Sequence, residues 1–479
     1  MSTDIQLAVI GAGPAGLEAA LTASEYGVDV VLIDGSPQAG GQYYQQFPEP
    51  FEAGSNTKTS VQKEAQLLIH MVESAPIRRL YNTLVWGAFT RPDDPLYTLA
   101  LYGPDAPAQL RAHAVIIASG AYDFPLPFPG WTLPGVFTAG AAQGLIKNQR
   151  VFPGQRVLIS GSGPLQLATA AELIHAGVEV AAVLESSQPV WNGLRNLPAA
   201  WGQWGRMAEG GEYSYAMLRS RTPYRLGWSV VAAHGDTGVE EAVIARLSPD
   251  GHPIPGSQET LAVDTIITGF GLIPNTGLSR MLGCKHIQRQ GQTGWIPERD
   301  KIFQTTLPGL FVVGDAAGIG GAELARLEGQ VAGLAVAQRL QQISDGQLNT
   351  AYQRIQPALK RQQRFARFLE NVFAPLPGLT AIPDETTVIC RCEEVTLGQI
   401  REAVHMGARS VNEVKMLTRT GMGNCQGRIC ELWVARMIQR ILDDPTVTLD
   451  SLGAFTVRPP LQPLPVSALA LAAESNDEP

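Results

Sequence analysis

The chain has 479 residues, is 45% hydrophobic, and carries 36 Lys and Arg against 44 Asp and Glu for a formal net charge of -8. That length predicts two to four domains, and apolar residues spread throughout exclude extended disorder even with 50 Gly and 34 Pro. The negative charge and the lack of a basic stripe interleaved with aromatics argue against a nucleic-acid partner.

The N-terminus, Met1 to Asp4, has no positively charged segment, so no signal peptide is expected. No apolar run is long enough to span a bilayer, and a cytoplasmic location is expected. Gln6–Ile10 predicts a strand, Leu17–Tyr26 a helix ended by Gly27, and Val28–Ile33 a second strand closed by Asp34. Between them runs Gly11-Ala-Gly-Pro-Ala-Gly16, so the segment reads as a complete dinucleotide-binding unit. Gly11 permits the tight turn, Gly13 admits the pyrophosphate, and Gly16 lets helix and strand touch. Pro14 and Ala15 complete the motif, the N-terminus of the helix that follows offers free amides to phosphate, and Asp34 stands where a carboxylate meets ribose hydroxyls.

The motif alone does not choose between FAD and NAD. Gly40, Gly41 and Gln42 follow the acidic residue as in the flavin domain of the two-dinucleotide-domain reductases. Val115–Gly120 and Thr265–Gly271 are strand-then-glycine crossings typical of the hinge between two such folds, and Gly271–Thr276 strengthens the resemblance. Gly309–Asp315 is similar to the second flavin motif of that superfamily, which implies that Gly314 and Asp315 meet the ribityl chain. Small residues at Gly329 and Gly333 follow on a helix. FAD is the cofactor these two segments imply.

Residues 157–185 repeat the first unit at a spacing of 150, with Gly161, Gly163 and Gly177 matching Gly11, Gly13 and Gly27. The third glycine is replaced by Gln166, and counting places Leu184 opposite Asp34, with Glu185 one position late. NAD(P), another nucleotide, or a retained fold that binds nucleotide poorly all remain open for this unit. No CxxC follows either glycine motif, which excludes a thioredoxin-reductase type disulfide relay. The seven histidines form no metal motif, and no acid–base constellation identifies catalytic residues.

The basic residues Lys360, Arg361, Arg364 and Arg367 read as a solvated helix face or a docking face. After a Pro-punctuated linker, 373–387, come Cys390 and Cys392, and after two helical stretches Cys425 and Cys430. Four thiols on two short loops, with glycines at 421, 423 and 427, suit an iron–sulfur cluster or a structural zinc. The CxC arm with its Gly-rich partner resembles the bacterioferritin-associated-ferredoxin-like domain, which implies a 2Fe-2S cluster on Cys390, Cys392, Cys425 and Cys430. Cys284 reads as packing.

Taken in order, the FAD motifs, the degenerate second fold, Cys390–Thr396 and Thr418–Cys430 resemble one family. It comprises the large FAD-binding subunits of opine oxidases, D-hydroxyproline dehydrogenase, dye-linked L-proline dehydrogenase and hydrogen cyanide synthase. The Pro-rich stretch 457–466 is similar to the tail of those subunits. The resemblance implies an α/β chain: two Rossmann-like dinucleotide-binding domains and a small helical C-terminal iron–sulfur domain. Expected boundaries are 1–120 with 290–345 for a discontinuous FAD domain and 121–289 for the second fold. A helical segment and linker, 346–387, then lead to the cluster domain, 388–445, and the tail, 446–479. It further implies an amino-acid-oxidase-like flavoprotein partner that performs the substrate chemistry. A second candidate partner is a small additional iron–sulfur subunit. Two other functions stay open: a self-sufficient NAD(P)H-dependent reductase, and an assembly or iron-sensing protein.

Overall fold

A computed structural model describes residues 4–46, 60–187, 204–289 and 292–474. Two parallel-cored sheets carry the two glycine-rich turns. In the first, strands run in the order Arg78–Leu80, Val30–Ile33, Asp4–Ile10, Gln109–Ile117, Asp94–Tyr102 and Leu84–Arg91. Leu310–Val312 pairs in parallel with 115–117 of the same sheet, so segments far apart in sequence build one layer. The strands are apolar on both faces because helices cover one side and the antiparallel hairpin closes the edge.

The first helix spans Pro14–Glu25, three residues earlier than its apolar pattern suggests. Proline is tolerated at a first helical position, where its missing amide would have no partner anyway. This helix packs on Ala322–Arg339, and glycines set how close the two come. A Cβ at Gly329 would lie 2.2 Å from the Ala15 carbonyl oxygen, and one at Gly333 would lie 2.7 Å from that of Ala19.

The second sheet runs Tyr224–Leu226, Glu179–Glu185, Arg156–Gly161, Thr265–Gly269 and Val136–Thr138, parallel throughout. A three-stranded antiparallel sheet, Trp228–His234, Glu241–Arg246 and Glu259–Ala262, lies beside it. Ala121–Asp123 pairs with Leu272–Pro274 where the chain passes between the two folds. Asn275 ties this hinge to the first fold: its amide donates to the Gly120 carbonyl at 2.9 Å, and its carbonyl accepts from Ser119 Oγ at 2.9 Å.

The helix Asp345–Phe373 follows, opened by a capping box of Ser344 and Gln347. Its apolar side packs into the core of the first fold. The segment expected as a linker is packed as well: Leu379 and Ile382 are buried, and the Gly378 amide donates to the Asp250 carbonyl at 2.8 Å. Helices Leu397–His405, Val411–Thr418 and Glu431–Leu442 complete the C-terminal unit, the first two opened by the pairs Thr396–Gln399 and Ser410–Glu413.

That unit shares one apolar core with the second fold. Trp433 stacks on Phe124 with ring centroids 5.0 Å apart, and its indole NH donates to the Pro125 carbonyl at 2.7 Å. Trp131 donates to the Val388 carbonyl at 2.6 Å. Burying a side chain of that size contributes about 2–3 kcal/mol, so the cysteine-bearing unit is held firmly against the rest. No described helix is long and apolar enough to cross a membrane.

Candidate cofactor sites

The three glycines of the first turn play different parts. Gly11 adopts φ +107°, and a Cβ there would lie 2.3 Å from the Ala118 carbonyl oxygen. A Cβ on Gly16 would lie 1.7 Å from the Gly11 carbonyl oxygen, so this glycine is what lets helix meet strand. Gly13 differs. Its φ of -79° and ψ of -174° suit any residue, and a Cβ would meet only the Gly41 Cα at 3.8 Å. Folding therefore does not demand glycine at 13, and the open space beside it fits a phosphate brought close to the backbone.

The loop expected beside this turn is there. The Gly40 amide donates to the Ala12 carbonyl at 2.8 Å, and a Cβ on Gly41 would lie 2.8 Å from the Gly13 Cα. Gln42 is exposed and accepts from Gln45 at 2.7 Å. Asp34 accepts the Ala12 amide at 2.5 Å and the Ser36 amide at 2.7 Å, fixing its carboxylate beside the turn. From the far end of the chain, Gly314 brings its backbone onto Ala15, with φ +65° and a built Cβ 3.0 Å from the Ala15 Cβ. Asp315 accepts the Gly320 and Gly321 amides at 3.0 and 3.2 Å, holding the loop that starts the helix Ala322–Arg339. The structure thus gathers Gly11, Gly13, Pro14, Ala15, Gly16, Asp34, Gly41, Gly314 and Asp315 along one edge of the first sheet.

Sequence reasoning misses what anchors the Gly314 arm. Glu328, 3% exposed, accepts the Gly314 amide at 2.9 Å and forms a two-pronged pair with Arg299 at 2.7 and 3.0 Å. A glutamate on an otherwise apolar helix face is the available signal.

The second turn is built differently. The spacing puts Leu184 opposite Asp34, but the pairing corrects this: Ile10 faces Ile33, so Gly11 faces Asp34, whereas Gly161 faces Glu185. A bulge between Val180 and Ala182 absorbs one extra residue and brings Glu185 into that place. Glu185 Oε2 accepts the Gly163 amide at 3.0 Å and Oε1 the Ser187 amide at 2.9 Å, the same pattern as Asp34. Burial pushes the Glu185 carboxyl up from its ordinary range.

Gly163 turns to φ +112°, and this altered turn accommodates Gln166, which is 1% exposed. Neither Gln166 amide atom has a hydrogen-bond partner in the protein. The turn is also covered from outside, because Ser162 Oγ donates to the Phe373 carbonyl at 2.8 Å.

The four C-terminal thiols converge as two pairs, Cys390 with Cys430 and Cys392 with Cys425. Among the described residues, no three His, Cys, Asp or Glu side chains surround a single point as one ion requires. Cys390 and Cys430 are buried, while Cys392 is exposed and Cys425 lies between. The Cys430 thiol, together with the amides of Gly421, Glu393 and Cys392, draws Cys390 down to about 6. The Gly421 amide lies 3.4 Å from Cys390 Sγ. A loop that aims backbone amides at sulfur suits thiolates that ligate iron.

The glycines of this loop answer to a residue of the tail. Gly421 and Gly427 have φ +79° and +84°, and Cβ atoms on them would lie 2.6 and 2.4 Å from the Phe455 ring. Phe455, 3% exposed, therefore closes the cysteine site from below. Cys284 is 7% exposed within the core of the first fold, as expected of a packing residue. Between the hinge, the cysteine loop and the tail lies a cavity of about 140 Å³, lined by Tyr122, Arg280, Lys415, Arg428 and Glu431 among others.

Residues 5–343 match the pyridine nucleotide-disulphide oxidoreductase family. The chain belongs to that family. Residues 388–440 of this oxidoreductase match the BFD-like 2Fe-2S binding domain, so FAD and a 2Fe-2S cluster are its cofactors. The oxidoreductase is 30% identical over 484 residues to the opine oxidase A subunit of Agrobacterium tumefaciens (strain Ach5), covering 98% of this chain and 92% of that one. It is 30% identical over 470 residues to the hydrogen cyanide synthase HcnB subunit of Pseudomonas aeruginosa, covering 96% and 97%. Its fold is similar to that of L-proline dehydrogenase from P. horikoshii, with a TM-score of 0.67 at 20% identity over 98% of this chain and 80% of that one.

Proposed function

We propose that the chain is the FAD- and 2Fe-2S-containing electron-transfer subunit of a heteromeric dehydrogenase. The substrate class is an amino acid, opine or hydroxyproline, oxidised at a C–N bond, or that of a hydrogen cyanide synthase-like complex. An amino-acid-oxidase-type flavoprotein is the proposed partner, a small iron–sulfur protein is a further candidate, and the cytoplasm is the proposed location. The observation that carries this reading is the seating of the four-cysteine unit against the second fold just beyond the hinge to the flavin fold, through Phe124, Pro125 and Trp131. Relatives that span nearly the whole chain and are named as subunits support it.

In this reading Gly11, Gly13, Pro14, Ala15, Gly16, Asp34, Gly41, Gln42, Gly314 and Asp315 hold FAD. Cys390, Cys392, Cys425 and Cys430 ligate the cluster. FAD exchanges two electrons and a 2Fe-2S centre one at a time, so the pair converts between the two regimes. The protein's part is to hold phosphate at the helix start, keep Asp34 and Asp315 oriented through backbone amides, and exclude water from Cys390 and Cys430.

Expression with and without the partner tests the reading. The chain alone is expected to show a flavin and 2Fe-2S spectrum with two irons per chain, and to oxidise an imino acid only with a second subunit. A homo-oligomer fully active on an imino acid overturns it.

One observation favours a second reading, a self-sufficient NAD(P)H-dependent reductase: Glu185 occupies in the second fold the place of Asp34 in the first. Anaerobic mixing with NADH separates the two. Rapid flavin bleaching supports the reductase, and an unbleached flavin supports the electron-transfer role.

A further inference from the structure

Arg428 lies in the loop between Cys425 and Cys430, and its charge meets no carboxylate among the described residues. The acid that lines the same cavity, Glu431, is already taken by Arg280 through two bonds of 2.9 Å. Arg428 is held instead by neutral groups. Nη2 donates to the Leu461 carbonyl at 2.7 Å, Nη1 to the Cys425 carbonyl at 3.5 Å, and the guanidinium sits 5.4 Å from the centre of the Tyr122 ring. A cation over an aromatic face at that distance is attracted by the ring, which fixes its position.

Tyr122 belongs to the hinge strand Ala121–Asp123, two residues beyond Gly120. Four residues before Tyr122, Ala118 donates its amide to the Ile10 carbonyl at 2.8 Å, and its own carbonyl packs on Gly11. The ring therefore stands a few residues from the flavin turn on one side and against a residue of the cysteine loop on the other.

We propose that Arg428, fixed on Tyr122, is a positioning residue that raises the reduction potential of the iron–sulfur site and so draws electrons from the flavin fold. This rests on the reading of Cys390, Cys392, Cys425 and Cys430 as cluster ligands. An added electron makes the site more negative, and a permanent positive charge beside it stabilises that state over the oxidised one. Each crossing moves one electron, so two crossings empty a two-electron donor, and a quinone or dye-type acceptor takes one electron from the site between them.

The test is a spectroscopic redox titration of the full chain, with iron counted in each variant. Arg428→Met is expected to keep its iron and lower the ratio of reduced to oxidised cluster at a fixed potential by about tenfold. Arg428→Lys, which keeps the charge, is expected to recover most of that loss. Tyr122→Leu, which frees the guanidinium from its ring, is expected to shift the ratio in the same direction by about threefold. Iron-replete Arg428→Met with an unmoved titration overturns the proposal. Should that variant lose iron, an unmoved Tyr122→Leu titration overturns it. Absence of any cluster signal in the unaltered chain defeats the ligand reading instead, and the two failures are distinct.

Discussion

Glu185 and Gly163 are joined by a hydrogen bond of 3.0 Å from amide to carboxylate across 22 residues of chain, the same separation as between Asp34 and Ala12. Glu185→Ala leaves the amides of Gly163 and Ser187 buried without an acceptor, a loss of about 1–3 kcal/mol for each such group. Burial raises the Glu185 carboxyl, so the unfolded chain releases this proton at a lower pH than the folded one. Stability from this group is therefore greatest below the ordinary carboxylate range and declines as pH rises through the raised folded value. The stability gap between wild type and Glu185→Ala should narrow with increasing pH in denaturant unfolding. A gap that widens contradicts the assignment.

Gly13 and Gly16 separate binding from folding. Gly13→Ala meets only an ordinary contact at 3.8 Å and should unfold within about 0.5 kcal/mol of wild type. Its methyl group nonetheless points into the space assigned to phosphate, so bound flavin should fall at least about tenfold by absorbance. Gly16→Ala drives a methyl into the Gly11 carbonyl and should not yield folded protein. A Gly13→Ala protein with full flavin contradicts the site.

In the proposed reading the cysteines divide into four ligands and one packing residue. Cys390→Ser is expected to abolish the 2Fe-2S spectrum and most bound iron, while Cys284→Ser, buried in the first core, should leave both unchanged. Iron analysis with a visible spectrum decides the matter.

Phe455 is the tail's contribution to the cysteine site. Phe455→Ala removes the ring packed on Gly421 and Gly427, and a loss of about 3–5 kcal/mol is expected for the C-terminal unit. Chelators should then strip iron faster than from wild type. Equal rates would show that the tail does not seal the loop.

The residue types of the two proposed cofactor sites are legible from residue order. Glycines that must take positive φ or admit phosphate leave a fixed spacing, and so do cysteines on short loops. The first helix starts three residues before its apolar pattern does, because proline suits a first helical position. Counting residues misplaces Glu185 because it assumes an unbroken ladder, and a bulge at 180–182 violates that assumption. Phe455 and Glu328 give no readable pattern. One looks like any apolar residue and the other like any acidic residue until its neighbours are known.

That the chain carries a phosphate-binding turn and a four-thiol site follows from residue order, because phosphate approach and thiolate ligation depend on a few residue types held close along the chain. That these take FAD and a 2Fe-2S cluster follows from the family it matches. How the parts are joined is settled by the folded arrangement. Trp433 stacks on Phe124, Phe373 covers Ser162, and Arg428 rests on Tyr122, each pair at least 211 positions apart. Such contacts follow from apolar burial and charge, which say that a side chain needs a partner without saying which one.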